Sequence, residues 1–274
     1  MMPFTVILPV YKNDKPEDLY VAVESISEKQ TVKPDEILIV IDGPIPERLV
    51  IVINELCNRI SNIRVLRQPV NKGLGFTLQK GIENATYEIV ARMDSDDISY
   101  PERFEKQLKV FETNPTLSLV GGNITEFIDS PENIVGRRVV PQSNDELYSY
   151  MKSRCPFNHM TVMYKRSDVL KAGNYQDWSW NEDYYLWIRM MMAGCKFANI
   201  SDSLVNVRVG KDMYARRGGI KYFKSEAGIQ RYMYVHRLIS LPRYIVNVTI
   251  RFIVQVLMPN NIRGFVFQKL FRSR

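Results

Sequence analysis

The sequence is poor in residues that ligate zinc or build disulfide frameworks. Its 274 residues include three cysteines, Cys57, Cys155 and Cys195, widely spaced and odd in number, and only two histidines. This excludes a Cys/His metal cluster and a disulfide scaffold, and fits a reducing, cytosolic setting. No uncharged apolar run reaches the about 18 residues of a spanning helix, and the start, Met-Met-Pro-Phe-Thr-Val, lacks the basic segment and long apolar core of an export signal, so neither is expected. Repeats and low-complexity segments are absent. Acidic residues run short in one place: from Arg208 onward fourteen Lys and Arg face two Asp and Glu, a balance of +12 within a total of +7, which leaves −5 for residues 1–207. A basic arm on a mildly acidic body calls for an anionic partner, a membrane surface or a nucleic acid.

What is present is an alternation of two periodicities. Residues 4–11 (FTVILPVY) and 36–43 (EILIVIDG) are short, continuous apolar runs rich in β-branched residues, as strands buried on both faces should be. Between them Leu19, Val23 and Ile26 recur at helical spacing. A helix over about 46–60, a strand at 62–68, a helix over about 74–83 and a strand at 87–94 continue the series. Such βαβ units imply right-handed crossovers and a parallel sheet, with ligands at the carboxyl ends of the strands. The second half reads as mixed: helices over about 101–113, about 144–152 and from Glu182, and strands at 117–127, 159–165, 197–201 and 203–209.

The strand ends collect polar residues. Tyr11 follows the first strand, Asp42 ends the second, Asn71-Lys72-Gly73 follows the third and Asp94-Ser95-Asp96-Asp97 the fourth. Carboxylates this close repel one another unless something positive sits between them. Asp97 or Ser99 has a structural use as cap of the helix after Pro101, which accounts for one acid and not for three. A hard divalent ion, Mg²⁺ or Mn²⁺, takes one or two carboxylates together with substrate phosphates. Asp42 with Gly43 could simply form a turn, Lys72 offers a positive charge at the same edge, and Gly73-x-Gly75 alone is a weak phosphate-loop signal. A second acidic site opens a helix in residues 178–190 (WSWNEDYYLWIRM). Glu182 and Asp183 suit the positive end of its dipole, and Trp178 and Trp180 just before them suit a stacked sugar ring whose hydroxyl is deprotonated by a neighbouring carboxylate.

The segments TVILPVYK, EILIVIDG, NKGLG, MDSDD and NEDYYLW, in this order and spacing over roughly Thr5–Val209, resemble glycosyltransferase family 2, inverting enzymes of GT-A fold. The resemblance implies an α/β fold with residues 1–207 as catalytic domain, about 1–97 binding the nucleotide sugar and 98–207 the acceptor, and residues 208–274 as a basic lid and an amphipathic, membrane-associating extension. It implies that Pro9, Tyr11, Asp42, Lys72, Asp94, Ser95 and Asp96 line the donor site. Asp96 would ligate Mn²⁺ or Mg²⁺ directly, Asp94 would contact the ribose or the metal, and Asp183 would be the catalytic base supported by Glu182. His159 and Trp180 would face the acceptor, a core histidine bonded to backbone being the other reading of His159. Independently of the resemblance, Arg208, Lys211, Arg216 and Arg217 with the Gly218-Gly219 hinge read as a mobile lid over the diphosphate or as a solvated basic loop. The Gln-x-x-Arg-Trp motif and spanning helices of processive members are missing, so one sugar is added per encounter.

If residues 243–255 are helical, Arg243, Asn247, Arg251 and Gln255 form one narrow polar stripe on an otherwise apolar helix. That suits a helix lying in a membrane interface, as does the cationic run with Phe265, Phe267 and Phe271; burial of the helix against the catalytic domain or a second subunit is the other reading. The expected function is therefore transfer of a hexose, glucose or galactose, in β linkage from a UDP-sugar to an undecaprenyl-diphosphate-linked glycan, by an enzyme peripheral on the inner face of the bacterial cytoplasmic membrane, serving O-antigen, capsule or exopolysaccharide assembly. A sugar nucleotidyltransferase would need a glycine- and arginine-rich loop after the first strand, and residues 9–18 have none. A basic binder of single-stranded nucleic acid would fit the tail but not the acidic body, so no nucleic acid is expected. Nothing in the sequence decides between monomer and homodimer.

Overall fold

The computed structural model describes residues 2–210 and 218–259. In chain order the elements are β1 (Phe4–Val10), α1 (Pro16–Ile26), β2 (Glu36–Ile41), α2 (Glu47–Arg59), β3 (Ile63–Arg67), α3 (Leu74–Asn84), β4 (Ile89–Arg92), β5 (Ile98–Ser99), α4 (Arg103–Thr113), β6 (Leu117–Phe127), β7 (Ile134–Arg138), α5 (Asn144–Met151), β8 (Met163–Lys165), α6 (Arg166–Lys171), α7 (Glu182–Met192), β9 (Lys196–Arg208), α8 (Ile220–Val235) and α9 (Leu241–Phe252), the last running into a wide π turn at Ile253–Leu257.

One sheet runs β3-β2-β1-β4-β8-β6-β9-β5, with β7 on β6. The strands β3, β2, β1 and β4 are parallel, as the βαβ rhythm requires, and the sheet turns mixed where β8 enters antiparallel between β4 and β6. Alternation within β1 fills both faces: Phe4, Val6, Leu8 and Val10 join Leu19, Val23, Ile53 and Phe104 on one side, while Ile7 joins Leu78, Ile82 and Trp187 on the other. All six residues of β2 are buried. At about 25 cal/mol per Å² of apolar surface, this two-sided burial is the main stabilising term.

Several expectations shift. The stretch 159–165 is not all strand: His159–Thr161 is a single 3₁₀ turn and only Met163–Lys165 pairs. Asn158 Nδ2 donates to the distant Gly122 carbonyl at 2.9 Å and Thr161 Oγ1 to the Asn158 carbonyl at 2.8 Å, so side-chain bonds, one across the fold and one within the turn, stand in for the ladder. The two strands expected over 197–209 form one, β9, kept continuous by irregularities in its register with β6. Neither Asp97 nor Ser99 caps α4, whose N-cap is Glu102 without a side-chain bond. Instead Ile98 and Ser99 form β5 and pair with Asn206 and Val205, which carries the acidic loop to the end of β9.

Candidate active site

The carboxyl edge of the parallel strands is built by side-chain-to-backbone ties. Asp42, buried at the end of β2, accepts the backbone N–H groups of Lys72 (2.7 Å) and Gly73 (2.9 Å), one on each oxygen. Asp42 thus fixes the loop entering α3 as well as standing at the donor edge. Gly43 beside it has φ +79°, and a Cβ there would meet Asn71 N at 2.4 Å, so only glycine permits this close approach. Lys72 is exposed, its Nζ 4.5 Å from the centre of the Phe76 ring. Tyr11 is 44% exposed just past β1; its N–H donates to Asp14 Oδ2 (3.0 Å), which also accepts the Ser95 hydroxyl (2.8 Å). Pro9 is partly buried within β1. Asp14 was not singled out in the sequence because it stands in a loop with no spacing signal, yet it joins two of the expected donor-site residues.

The acidic loop already contains its cation. Arg92, on β4 and 2% exposed, donates to both oxygens of Asp94, Nη1 to Oδ2 at 2.6 Å and Nη2 to Oδ1 at 2.5 Å. Burial works against the Arg92 charge, but Asp94 and then Tyr175 and Asp97 restore it. Below it Arg103, fully buried, donates to the Arg92 carbonyl at 2.7 Å. Asp97 accepts the Arg208 backbone N–H at 2.9 Å, and burial followed by the charges of Asp94 and Asp96 pushes its pKa well up. Asp96 presents surface to solvent, but crowding around its carboxyl and then the charges of Asp94, Asp14 and Asp18 push its pKa up to about 6.

These facts decide what the loop can hold. Among the described residues no three His, Cys, Asp or Glu side chains converge as a ready-made metal cage. The residues nonetheless fit a Mg²⁺ or Mn²⁺ bound jointly with a diphosphate, because Asp96 offers a carboxylate in the negative field of Asp94, Asp14 and Asp18 and such ions take the remaining ligands from phosphate and water. Asp94, expected as a possible ligand, has both oxygens on Arg92, so it stands as Arg92's partner rather than as a free ligand. Arg208, expected in a mobile lid, is instead fastened to this loop: Nη2 lies 3.0 Å from Asp18 Oδ1, Nε donates to the Asp96 carbonyl at 3.2 Å, and the guanidinium stacks over Phe127. Its place at the end of β9, bonded through the backbone as well, leaves it no lid role here. Lys211, Arg216 and Arg217 lie outside the described residues, as do Phe265, Phe267 and Phe271.

The second acidic pair faces the same region from α7. Glu182 packs against the start of α3: a Cβ on Gly75 would lie 3.2 Å from Glu182 Cβ, so the absence of that atom lets the NKGLG loop and the NEDYY helix meet. Burial and then Asp183 push the Glu182 pKa up to about 7, with Asp94 among the smaller raising charges. Burial likewise raises Asp183, against the Tyr184 N–H on its Oδ1 (2.7 Å) and the charges of Arg92 and Arg138. Cys155 Sγ stands 3.8 Å from Asp183 Oδ2; its thiol pKa is pushed well up by burial, so it acts as a weak donor. His159 Nδ1 is 3.9 Å from the same oxygen, but burial and then Arg92 keep the imidazole neutral, so this is no ion pair; Nε2 bonds the Tyr175 hydroxyl at 2.9 Å. Of the two tryptophans only Trp180 offers a face, 55% exposed on a backbone at φ +65°. Trp178 donates to the Ser225 carbonyl and packs at a tilt against Tyr185. Arg92, whose charge reaches both acidic pairs, lay hidden in an apolar strand; its one signal was a cation in a run otherwise free of charge.

A parallel nucleotide-type half with acids at its carboxyl edge, joined to a mixed half that presents a second carboxylate pair, is the GT-A arrangement of a glycosyltransferase. The chain belongs to glycosyltransferase family 2, whose model (Glycosyl transferase family 2) matches residues 5–172. It is 37% identical to amylovoran biosynthesis glycosyltransferase AmsE of Erwinia amylovora over 97% of this chain and 98% of that one. It is 36% identical to the Escherichia coli UDP-Gal:alpha-D-GlcNAc-diphosphoundecaprenol beta-1,3-galactosyltransferase over 98% of this chain and 96% of that one. Among solved structures it resembles Staphylococcus aureus TarS 1-349 in complex with UDP-GlcNAc (TM-score 0.67, 16% identity, 92% of this chain and 73% of that one). It also resembles the mannosyltransferase PcManGT of Pyrobaculum calidifontis in complex with GDP-Man and Mn²⁺ (TM-score 0.65, 14% identity, 100% of this chain and 76% of that one). At such identities the structures establish the fold alone.

Proposed function

We propose that this protein is an inverting glycosyltransferase that moves a hexose, galactose being the first candidate, from a UDP-sugar to a lipid-linked diphosphate glycan in bacterial surface polysaccharide assembly. The observation that carries this reading is the meeting of two acidic sites of different character. Asp94 and Asp96 sit at the strand ends where nucleotides bind, and Asp183 with Glu182 stands across from them at a helix start. Similarity to the E. coli galactosyltransferase along nearly the whole chain supports the donor and acceptor classes.

In this mechanism Asp183 takes the proton of an acceptor hydroxyl while that oxygen attacks the anomeric carbon. The bond to the diphosphate breaks on the opposite face, so an α-linked donor gives a β-linked product. Desolvation raises the Asp183 pKa and makes its carboxylate a stronger base near neutral pH. A divalent ion on Asp96, when bound, offsets charge on the leaving diphosphate. Arg92 holds Asp94 in place and its field reaches Glu182 and Asp183. Trp180 offers the acceptor sugar a face. Residues 1–207 supply the reacting groups of this chemistry, and the region from 208 serves attachment as well as bracing the site.

Attachment rests on α9. Among the described residues no helix is long and apolar enough to cross a membrane. Of the polar stripe predicted for α9, Asn247, Arg251 and Gln255 turn inward and Arg243 stays exposed, while Leu241, Ile245, Val246, Ile250, Ile253 and Leu257 are 46–62% exposed. The same hairpin carries exposed Lys221, Lys224, Arg231, Arg237 and Arg243, and its single acid, Glu226, is bonded inside. An apolar face on a cationic hairpin suits anionic lipid. The test of the reaction is incubation with UDP-galactose, UDP-glucose or UDP-GlcNAc and a GlcNAc-diphosphate-lipid acceptor, with Mn²⁺, Mg²⁺ or chelator. A β-linked product formed only with metal is expected. An α-linked product, or full activity in chelator, would sink the mechanism.

A further inference from the structure

Helix α5 ends at Met151, and the carbonyls of a helix's last turn need donors from elsewhere. Three consecutive carbonyls there each receive a side-chain donor. Met151 O takes the hydroxyl of Tyr184, the residue next to Asp183. Lys152 O takes Asn247 Nδ2 at 3.0 Å, and Ser153 O takes Arg251 Nη2 at 2.6 Å. Cations are favoured at such an end by the helix dipole. All three Arg251 nitrogens are engaged, since Nε donates to Glu226 Oε2 at 2.6 Å and Nη1 to the Asn247 carbonyl at 3.2 Å. Two residues beyond Ser153 stands Cys155, against Asp183. From α8 the same hairpin holds the other approach to the base: the Ser225 hydroxyl donates to Ser179 O at 2.5 Å and accepts Asn181 Nδ2 at 3.0 Å. The hairpin thus grips the chain on both sides of Asp183, and it lies outside the residues matched by the family model.

We propose that Arg251 is a positioning residue for the acceptor half of the site: by holding the Ser153 carbonyl and the Glu226 carboxylate together, it fixes the turn that sets Cys155 against Asp183. This rests on the reading of Asp183 as the general base. The donor edge, built on Asp42, Asp94 and Asp96, shares none of these bonds. Loss of Arg251 therefore loosens the base and leaves the nucleotide site intact.

The test compares Arg251→Met and Arg251→Lys by steady-state kinetics with UDP-galactose and the lipid-linked acceptor, and by calorimetric titration of UDP. In R251M kcat falls about ten-fold or more, the cost of a slightly misplaced catalytic group, while the Kd for UDP stays within about two-fold. R251K, which keeps a charge for Glu226 or Ser153, recovers part of kcat. An R251M kcat within two-fold of the parent, or a loss of UDP affinity in step with kcat, overturns the proposal. Should R251M fail to fold, Glu226→Leu, which removes both the charge and the acceptor that hold Arg251 Nε, is read by the same two criteria. Asp183→Asn separates the two readings: full activity there removes the base assignment, whereas an inactive D183N beside a fully active R251M removes the positioning role alone.

Discussion

Arg92 and Asp94, two residues apart across the end of β4, form a two-pronged ion pair whose cation is sealed from solvent and whose anion is not. The loop therefore carries its own counter-charge before any donor arrives. Removing one member of a buried pair leaves the other uncompensated, which costs about 3–5 kcal/mol. Arg92→Met should lower Tm by about 6 °C or more and weaken UDP binding, and Arg92→Lys, unable to bond both oxygens, should fall between it and the parent. Thermal melts with UDP titration check this. An R92M protein with parental Tm would show that the acids need no internal cation.

Among the described residues, Asp96 is the one acid of the loop whose carboxyl bonds no other residue. Asp96→Asn should weaken UDP binding at least about ten-fold in the presence of Mn²⁺ and change it little in chelator, because only the metal-linked part of the affinity is lost. Equal UDP affinities of parent and variant with Mn²⁺ would place the metal elsewhere.

Glu182 makes a prediction about stability and pH. Its pKa of about 7 in the fold lies above the ordinary carboxylate value, so between those limits the native state binds more protons than the unfolded chain. Its contribution to stability therefore declines as pH rises through that window. Glu182→Gln should match the parent near pH 4 and exceed it in Tm by about 7 °C or more near pH 8. A difference constant with pH, or of opposite sign, refutes the assignment.

The outward face of α9 is tested on vesicles. The parent should sediment with phosphatidylglycerol vesicles at about 100 mM salt and less so at high salt, and Ile245→Glu with Ile250→Glu should abolish sedimentation. A parent that is dimeric in light scattering, and made monomeric by the same pair of changes, would instead give this face to a second copy.

The nucleotide half was legible because its signal is local. Strands β1, β2 and β4 are buried on both faces and read as short apolar runs, β3 at the sheet edge is only partly buried and carries Arg64 and Arg67, and α1 to α3 carry plain helical spacing. The second half was harder for a physical reason: β8 and the 3₁₀ turn before it are shaped by Asn158 and Thr161 bonding across to Gly122, contacts between positions 36–39 residues apart. The acids of the site were found by their spacing at strand ends, but their controllers were not. Arg92 looked like an interruption in a strand, Asp14 like a loop residue and Glu226 like an ordinary helix acid. For α9 the sequence supplied the stripe and left its direction open, since a stripe of polar side chains faces water or bonded partners according to what surrounds it.

That direction inverts the usual map of mutational tolerance. On most surface helices an apolar-to-charged change injures the fold and a change among polar residues passes unnoticed. On α9 and the π turn after it, a glutamate at Ile250 or Leu257 stands more than half exposed, whereas leucine at Asn247 would strip a donor from both Lys152 and Gln230. A scan for stability along this helix should thus trace the polar stripe as the sensitive positions, and efforts to improve handling by recolouring its apolar side should leave the folded domain untouched.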